Sequence, residues 1–174
     1  MKLKGKKVGI FAESYYEDLE LWYPLIRLKE EGAEITVIGT GSAEEYTGKH
    51  GIPIKVDTTA DKVSADDFDA LIIPGGWAPD RLRRYESVLK LVKDAYDKGK
   101  VIAAICHGPW VMISAGIIKG HTATGVVAIK DDLINAGANY VDQEVVVDGK
   151  LITSRTPDDL PAFAREIIRV MSEG

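Results

Sequence analysis

The sequence is poor in cysteine, in histidine and in long apolar runs, and each shortage removes a class of protein. A single cysteine among 174 residues excludes an intrachain disulfide. The histidines number three, at positions 50, 107 and 121, none of them at metal-ligand spacing, so a zinc site is not expected. No apolar stretch approaches the roughly 20 residues a membrane helix needs. The chain starts Met1-Lys-Leu-Lys-Gly-Lys-Lys7, without the apolar segment of a signal peptide, and a reducing cytoplasm is the expected location. Basic residues are not in excess either. The net charge is −5 with both signs interspersed, so there is no continuous positive surface to hold nucleic acid strongly, and no membrane partner is expected. Gly39-Thr-Gly41-Ser42 lacks the phosphate-loop and dinucleotide fingerprints, and no cofactor is expected. Repeats, low-complexity tracts and linkers are absent.

What is present reads as one α/β domain over 1–174, large enough to bury roughly 70% of the unfolded chain's surface. Lys7–Ala12 reads as a strand, Glu17–Glu31 as a helix ended by Gly32, and Glu34–Gly39 as a second strand. Together they make a βαβ unit with a right-handed crossover. Residues 41–59 form a polar excursion with short irregular strands. Ala70–Pro74 and Val101–Ile105 are short continuous apolar runs, as expected for strands covered on both faces of a parallel sheet. Ser87–Lys98 is an amphipathic helix closed by Gly99. A short strand at His121–Thr124, a short helix at Lys130–Ala136, a hairpin of Gln143–Asp148 with Leu151–Ser154, and a last helix over Pro157–Met171 complete the order. The expected architecture is a flavodoxin-like three-layer α/β/α sandwich with a mostly parallel sheet.

The chemistry-bearing stretch is Val101-Ile-Ala-Ala-Ile-Cys106-His107-Gly108-Pro109. A buried strand ends on the only cysteine, a Gly-Pro turn follows, and Trp110–Ala115 reads as helix. This is a nucleophile-elbow arrangement, at the sheet edge where such folds put their chemistry, and the helix end adds positive potential that favours a thiolate. A lone cysteine is also often a small core residue, and His107 could be a polar loop residue making one structural hydrogen bond. Pro74-Gly75-Gly76 ends the neighbouring strand. It reads either as a simple turn or as a place where one N–H, with another just after Cys106, forms an oxyanion hole. Gly75 and Trp77 are candidate pocket residues, and Trp22 and Trp110 read as core or interface. In Glu13-Ser-Tyr-Tyr-Glu17-Asp18-Leu-Glu20-Leu21, Asp18 and Glu20 read as solvated or capping residues of a first helical turn. Glu17, if turned inward, would be a protonated carboxyl able to donate to a thiolate.

These segments, with Pro74-Gly75-Gly76-Trp-Ala-Pro-Asp80, Ile129-Lys-Asp-Asp132, Asn135-Ala-Gly-Ala138, Asp142-Gln-Glu-Val-Val-Val147 and Thr153-Ser-Arg-Thr-Pro-Asp-Asp-Leu-Pro161, resemble the PfpI branch of the ThiJ/PfpI superfamily, whose fold is that of the glutamine amidotransferases. The resemblance runs through nearly the whole chain. It implies Cys106 as nucleophile, Glu17 as the protonated neighbour that holds its thiolate, and His107 as acid–base partner. It further implies that Asp80 of an adjacent subunit orients His107, that the Gly76 and His107 N–H groups form the oxyanion hole, and that the protein is a homodimer or homohexamer. Two positions depart from some relatives: Asp80 stands for a glutamate, and Val126 for a tyrosine.

The activity the resemblance implies is that of a cysteine-dependent hydrolase without cofactor. The first reading is a protein deglycase and glutathione-independent glyoxalase acting on methylglyoxal and glyoxal, or on glycated proteins and peptides, in stress protection. The alternatives are an intracellular cysteine peptidase and a redox-responsive chaperone or sensor in which Cys106 is oxidised.

Overall fold

The computed structural model describes residues 1–174. Its strands are β1 (Lys7–Phe11), β2 (Glu34–Gly39), β3 (Glu45–Thr47), β4 (Pro53–Lys55), β5 (Thr58–Thr59), β6 (Ala70–Ile73), β7 (Val101–Ile105), β8 (Thr122–Ala123), β9 (Asn139–Tyr140), β10 (Val146–Asp148) and β11 (Leu151–Ser154). Its α-helices are α1 (Asp18–Glu30), α2 (Ala78–Leu82), α3 (Glu86–Asp97), α4 (Pro109–Ser114), α5 (Lys130–Asn135) and α6 (Leu160–Glu173). Seven strands form one sheet in the order β10-β11-β7-β6-β1-β2-β5. Every pairing in it is parallel except β10 with β11.

Helices cover both faces. α1 packs on α6 on one side, and α3 lies with α4, itself against α5, on the other. That double cover explains why β6 and β7 are apolar at every position and buried throughout. The helices carry the complementary stripe: α3 buries Val88, Leu91, Val92 and Ala95, the i, i+3, i+4, i+7 spacing of a one-sided helix. Chain order reverses between β1 and β6, so their carboxyl ends, with that of β7, open the crevice in which such sheets bind ligands.

The sequence reading differs from the structure in local detail. α2 and β9 were not expected. The excursion after β2 is a two-stranded antiparallel hairpin, β3 with β4, followed by β5, which joins the sheet. The three-residue helix turn over Pro157–Asp159 precedes α6 instead of belonging to it. His121 lies 2.8 Å from the Tyr96 hydroxyl and 3.1 Å from Asp148, tying α3 to the end of β10.

Candidate active site

β7 ends in register beside β6 and β11, with Ile73 opposite Ala104 and Ser154 opposite Ile105. The Cys106 N–H still donates to the Ser154 carbonyl at 3.0 Å, but the chain then turns sharply. Cys106 has φ +63°, a left-handed conformation that residues with a side chain seldom adopt and that is held only when the surroundings over-determine it. Here they do. The Cys106 carbonyl accepts from Val126 N–H at 3.0 Å, and Gly108 N–H donates back to Ile105 at 2.8 Å. The cysteine therefore closes the strand and lifts its thiol out of the layer, part-exposed. α4, at six residues, is too short for a large macrodipole, so the helix end contributes less positive potential than the sequence pattern suggested.

The carboxyl beside the thiol is that of Glu20, and this corrects the assignment of Glu17 to that place. α1 starts at Asp18, which puts Glu17 at the N-cap with extended backbone, its side chain accepting the Glu20 N–H at 3.0 Å, as N-cap residues do. Glu20 falls on the buried stripe with Leu21, Pro24 and Leu28 and is wholly enclosed. Its Oε1 accepts Gly75 N–H at 2.9 Å, while Oε2 is buried without a hydrogen-bond partner of its own. Glu20 is therefore neither solvated nor a cap, and the same holds for Asp18. Asp18 is buried and accepts the N–H groups of His50 at 2.8 Å and Ile52 at 2.9 Å, which fastens the β3–β4 hairpin over the start of α1.

Gly75 holds the parts together by what it lacks. A Cβ on it would lie 2.4 Å from Glu20 Oε1 and 2.8 Å from Cys106 Cβ, so carboxyl and cysteine pack onto the bare Cα. Gly75 is thus an internal spacer and not a pocket wall as expected: its N–H is taken by Glu20 and it presents no surface to a substrate. Gly76 has φ +77° and no room for a side chain, since a Cβ would meet Glu17 N at 2.4 Å. It pairs with Tyr16 in an isolated antiparallel bridge. Glu17 N–H donates to Gly75 at 3.1 Å and Trp77 N–H to Tyr15 at 2.8 Å, so the loop after β6 is stitched to the loop after β1.

The electrostatics follow from this enclosure. Burial, then the Glu17 charge, push the Glu20 carboxyl from 4.5 to about 8, against the Gly75 N–H, Lys49 and the thiol, which act to lower it. Glu20 is accordingly protonated at pH 7. Burial first and Glu20 second push the Cys106 thiol up to about 12, while the backbone N–H groups of His107 and Gly76 and the charge of Lys49 pull it down. Two adjacent acids titrate as a pair. Ionised Glu20 opposes a thiolate at Cys106, which would be a second charge beside the first; a Glu20 that keeps its proton does not.

His107 Nδ1 lies 3.5 Å from Cys106 Sγ, long for a hydrogen bond but within reach of adjustment on substrate binding. Burial, with the Lys49 charge adding to it, lowers its pKa below 6.5, so it is neutral and able to accept a proton at pH 7. Its ring lies between Trp77, with centroids 6.4 Å apart and planes at 28°, and Trp110 at 4.9 Å. Trp77 is 61% exposed, which puts it at the mouth. Asp80 is not brought to His107 within the chain; it bonds Arg84 at 2.6 Å on the surface of α2. Lys49, whose charge reaches Cys106, Glu20 and His107, was missed by the sequence reading, which gave the hairpin no role. No group of three or more His, Cys, Asp or Glu side chains is placed to hold a metal ion.

The sequence profile of the DJ-1/PfpI family matches residues 6–170. Deglycase PfpI of Pyrococcus furiosus is 46% identical over 165 residues, covering 95% of this chain and 99% of that protein. General stress protein 18 of Bacillus subtilis is 43% identical over 171 residues, covering 97% and 99%. Among solved structures, a two-domain protein from Anabaena variabilis containing DJ-1/ThiJ/PfpI-like and ferritin-like domains superposes with a TM-score of 0.93 at 45% identity. It covers 94% of this chain and 47% of that one.

Proposed function

We propose, for a chain that belongs to the DJ-1/PfpI family, that it is a cysteine-dependent hydrolase of carbonyl adducts, a deglycase and glutathione-independent glyoxalase. The observation that carries this reading is the setting of one thiol: φ +63° at Cys106 where the strand ends, with the buried Glu20 carboxyl and Cys106 packed together on the bare Cα of Gly75. The relative named Deglycase PfpI supports the choice of reaction.

The Cys106 thiolate adds to the aldehyde carbon of methylglyoxal, and Glu20 keeps its proton, so no second charge opposes the attack. The oxygen that becomes negative is stabilised by the N–H groups of Gly76 and His107, which act as the oxyanion hole. Neutral His107 takes the proton from the attacked carbon and returns it to the adjacent carbon as the neighbouring ketone is reduced. This internal transfer turns the hemithioacetal into a lactoyl thioester and needs no external oxidant or cofactor. Water then cleaves the thioester, giving lactate and regenerating the thiol. With a hemiaminal or hemithioacetal adduct the sum is adduct plus water to lactate plus the freed amine or thiol. Glyoxal gives glycolate by the same steps.

His107 Nδ1 faces the sulfur, and in this reading its other nitrogen is held by Asp80 of a second subunit in a homodimer or homohexamer, because Asp80 of the same chain is turned to Arg84. A part-exposed free thiol suits a reducing compartment, and we assign the protein to the cytoplasm. No helix is long and apolar enough to cross a membrane.

The test is lactate release from methylglyoxal and from a methylglyoxal-modified peptide by wild type and Cys106→Ser, with buffer-catalysed reversal subtracted. Lactate from the wild type alone is the expected result. Equal rates from both proteins would remove the reading and make peptide hydrolysis the next measurement.

A further inference from the structure

The rim of the site is cationic although the chain as a whole is acidic. Lys49 lies in the turn of the β3–β4 hairpin, Arg81 in α2 and Arg83 at its C-cap, on elements that flank the site, and none of the three is in an ion pair. Arg81 lies over the Tyr15 ring at 5.8 Å and Arg83 over the Trp110 ring at 5.2 Å, so two aromatic walls of the mouth each carry a guanidinium. Lys49 is exposed and is the nearest of the three to the chemistry by its effects: its charge lowers the pKa of the thiol, the Glu20 carboxyl and the His107 imidazole alike.

Its placement is built. Lys49 N–H donates to the Tyr16 carbonyl at 2.9 Å, and the next residues of the loop are fixed by Asp18 through the His50 and Ile52 N–H groups. The carboxylates beneath the loop are already engaged. Asp18 is occupied by those two N–H groups, and Glu17 by the Glu20 N–H and, at 3.4 Å, by His50. A lysine held at a mouth with no acid to pair with is open to an anion brought by the substrate.

We propose that Lys49, backed by Arg81, forms an anion subsite beside Cys106 that selects carbonyl substrates carrying a carboxylate. The substrate class is then α-oxoaldehyde adducts of thiols or amines with a free carboxylate close to the adducted atom, in preference to neutral adducts. This rests on the reading of Cys106 as a nucleophile toward carbonyl carbon. It adds to that reading a direction of approach, with the carboxylate toward the β3–β4 hairpin and the carbonyl toward the elbow.

The field at the thiolate is measured without turnover by alkylating the sole cysteine with iodoacetate and iodoacetamide, an isosteric pair that differs in one negative charge. The ratio of their rates cancels changes in thiol pKa. Relative to N-acetylcysteinamide in the same buffer, the wild type should favour iodoacetate about fivefold, a preference of the size one partly screened charge produces. Lys49→Gln should lose that preference and Lys49→Arg should keep it. A wild-type ratio equal to the free thiol's, or a ratio unchanged in Lys49→Gln, overturns the subsite. The substrate class is tested with methylglyoxal hemithioacetals of N-acetylcysteine and N-acetylcysteinamide, the former expected to have the higher kcat/KM in wild type and not in Lys49→Gln. Turnover of both at equal kcat/KM overturns the proposal and leaves the carbonyl reading standing. Turnover of neither overturns that reading and with it the substrate class, whatever the alkylation ratio.

Discussion

Replacing Glu20 by glutamine keeps the size of the side chain and its acceptor for Gly75 N–H while removing the titration. In the wild type the folded carboxyl holds its proton to about pH 8, whereas the unfolded chain releases it near 4.5. Between those values the folded state binds one proton more than the unfolded state, so stability from this group is full below about pH 4.5 and is lost as pH rises toward 8. The slope is about 1.4 kcal/mol per pH unit, which from pH 5 to 7.5 amounts to roughly 3 kcal/mol. Urea unfolding of wild type and Glu20→Gln at several pH values reads the term, because the titrating groups not coupled to Glu20 cancel in the difference. The wild type should lose ground to the variant steadily across that window, and the thiol of the variant should titrate below the wild-type value of about 12, since no carboxylate then opposes its ionisation. A difference in stability that does not change with pH would refute the assignment of Glu20 as a buried acid.

Other consequences are local. Gly75→Ala should lower stability by about 1–3 kcal/mol and slow iodoacetamide modification of Cys106, because the new methyl would displace Glu20 Oε1 and Cys106 Cβ; wild-type alkylation rates would show the packing to be slack. Glu17→Ala should cost about 1 kcal/mol of helix capping and, by removing its charge, lower the pH at which Glu20 ionises, as read by carboxyl-specific infrared or NMR titration. Asp18→Ala leaves the His50 and Ile52 N–H groups without their acceptor and should cost about 1–3 kcal/mol, with faster hydrogen exchange at those two amides; unchanged exchange would mean that the loop is held otherwise. His107 should titrate below 6.5 in the wild type and at higher pH in Lys49→Gln, followed by its ring proton resonances. A shift in the opposite direction would exclude the Lys49 charge from the site.

The legible parts of this protein were those carried by period and punctuation. β6 and β7 announced themselves as unbroken apolar runs, α3 as a one-sided stripe, and the elbow as a strand that stops on Cys106-His-Gly-Pro. Glu20 was legible as well, in principle. It stands four residues before Pro24 and eight before Leu28, in apolar register, and a carboxylate on the buried stripe is itself a signal. What hides it is that acidic residues in a first helical turn normally complement the helix dipole in solvent, a pattern that Glu20 and Asp18 both match. The exact start of α1 decided the matter. One residue of offset makes Glu17 a cap and aims Glu20 at the sulfur, and helix starts are set by capping geometry that a sequence pattern locates only to within a residue or two. α2 escaped because five residues are too few to show a period.

The sequence by itself determined the layer architecture, the identity of the one possible thiol nucleophile and its place at a strand end, since these depend on local spacing and on there being a single cysteine. Tertiary structure alone decided which carboxyl meets that thiol, that Gly75 is a spacer and not a pocket wall, that the β3–β4 hairpin delivers Lys49 to the mouth, and that Asp80 points away from His107 within one chain. Each of these relations joins segments 27 to 86 residues apart in the sequence. Their ionisation is set by how completely the fold removes water from around them, a property of the packed molecule that no single segment carries.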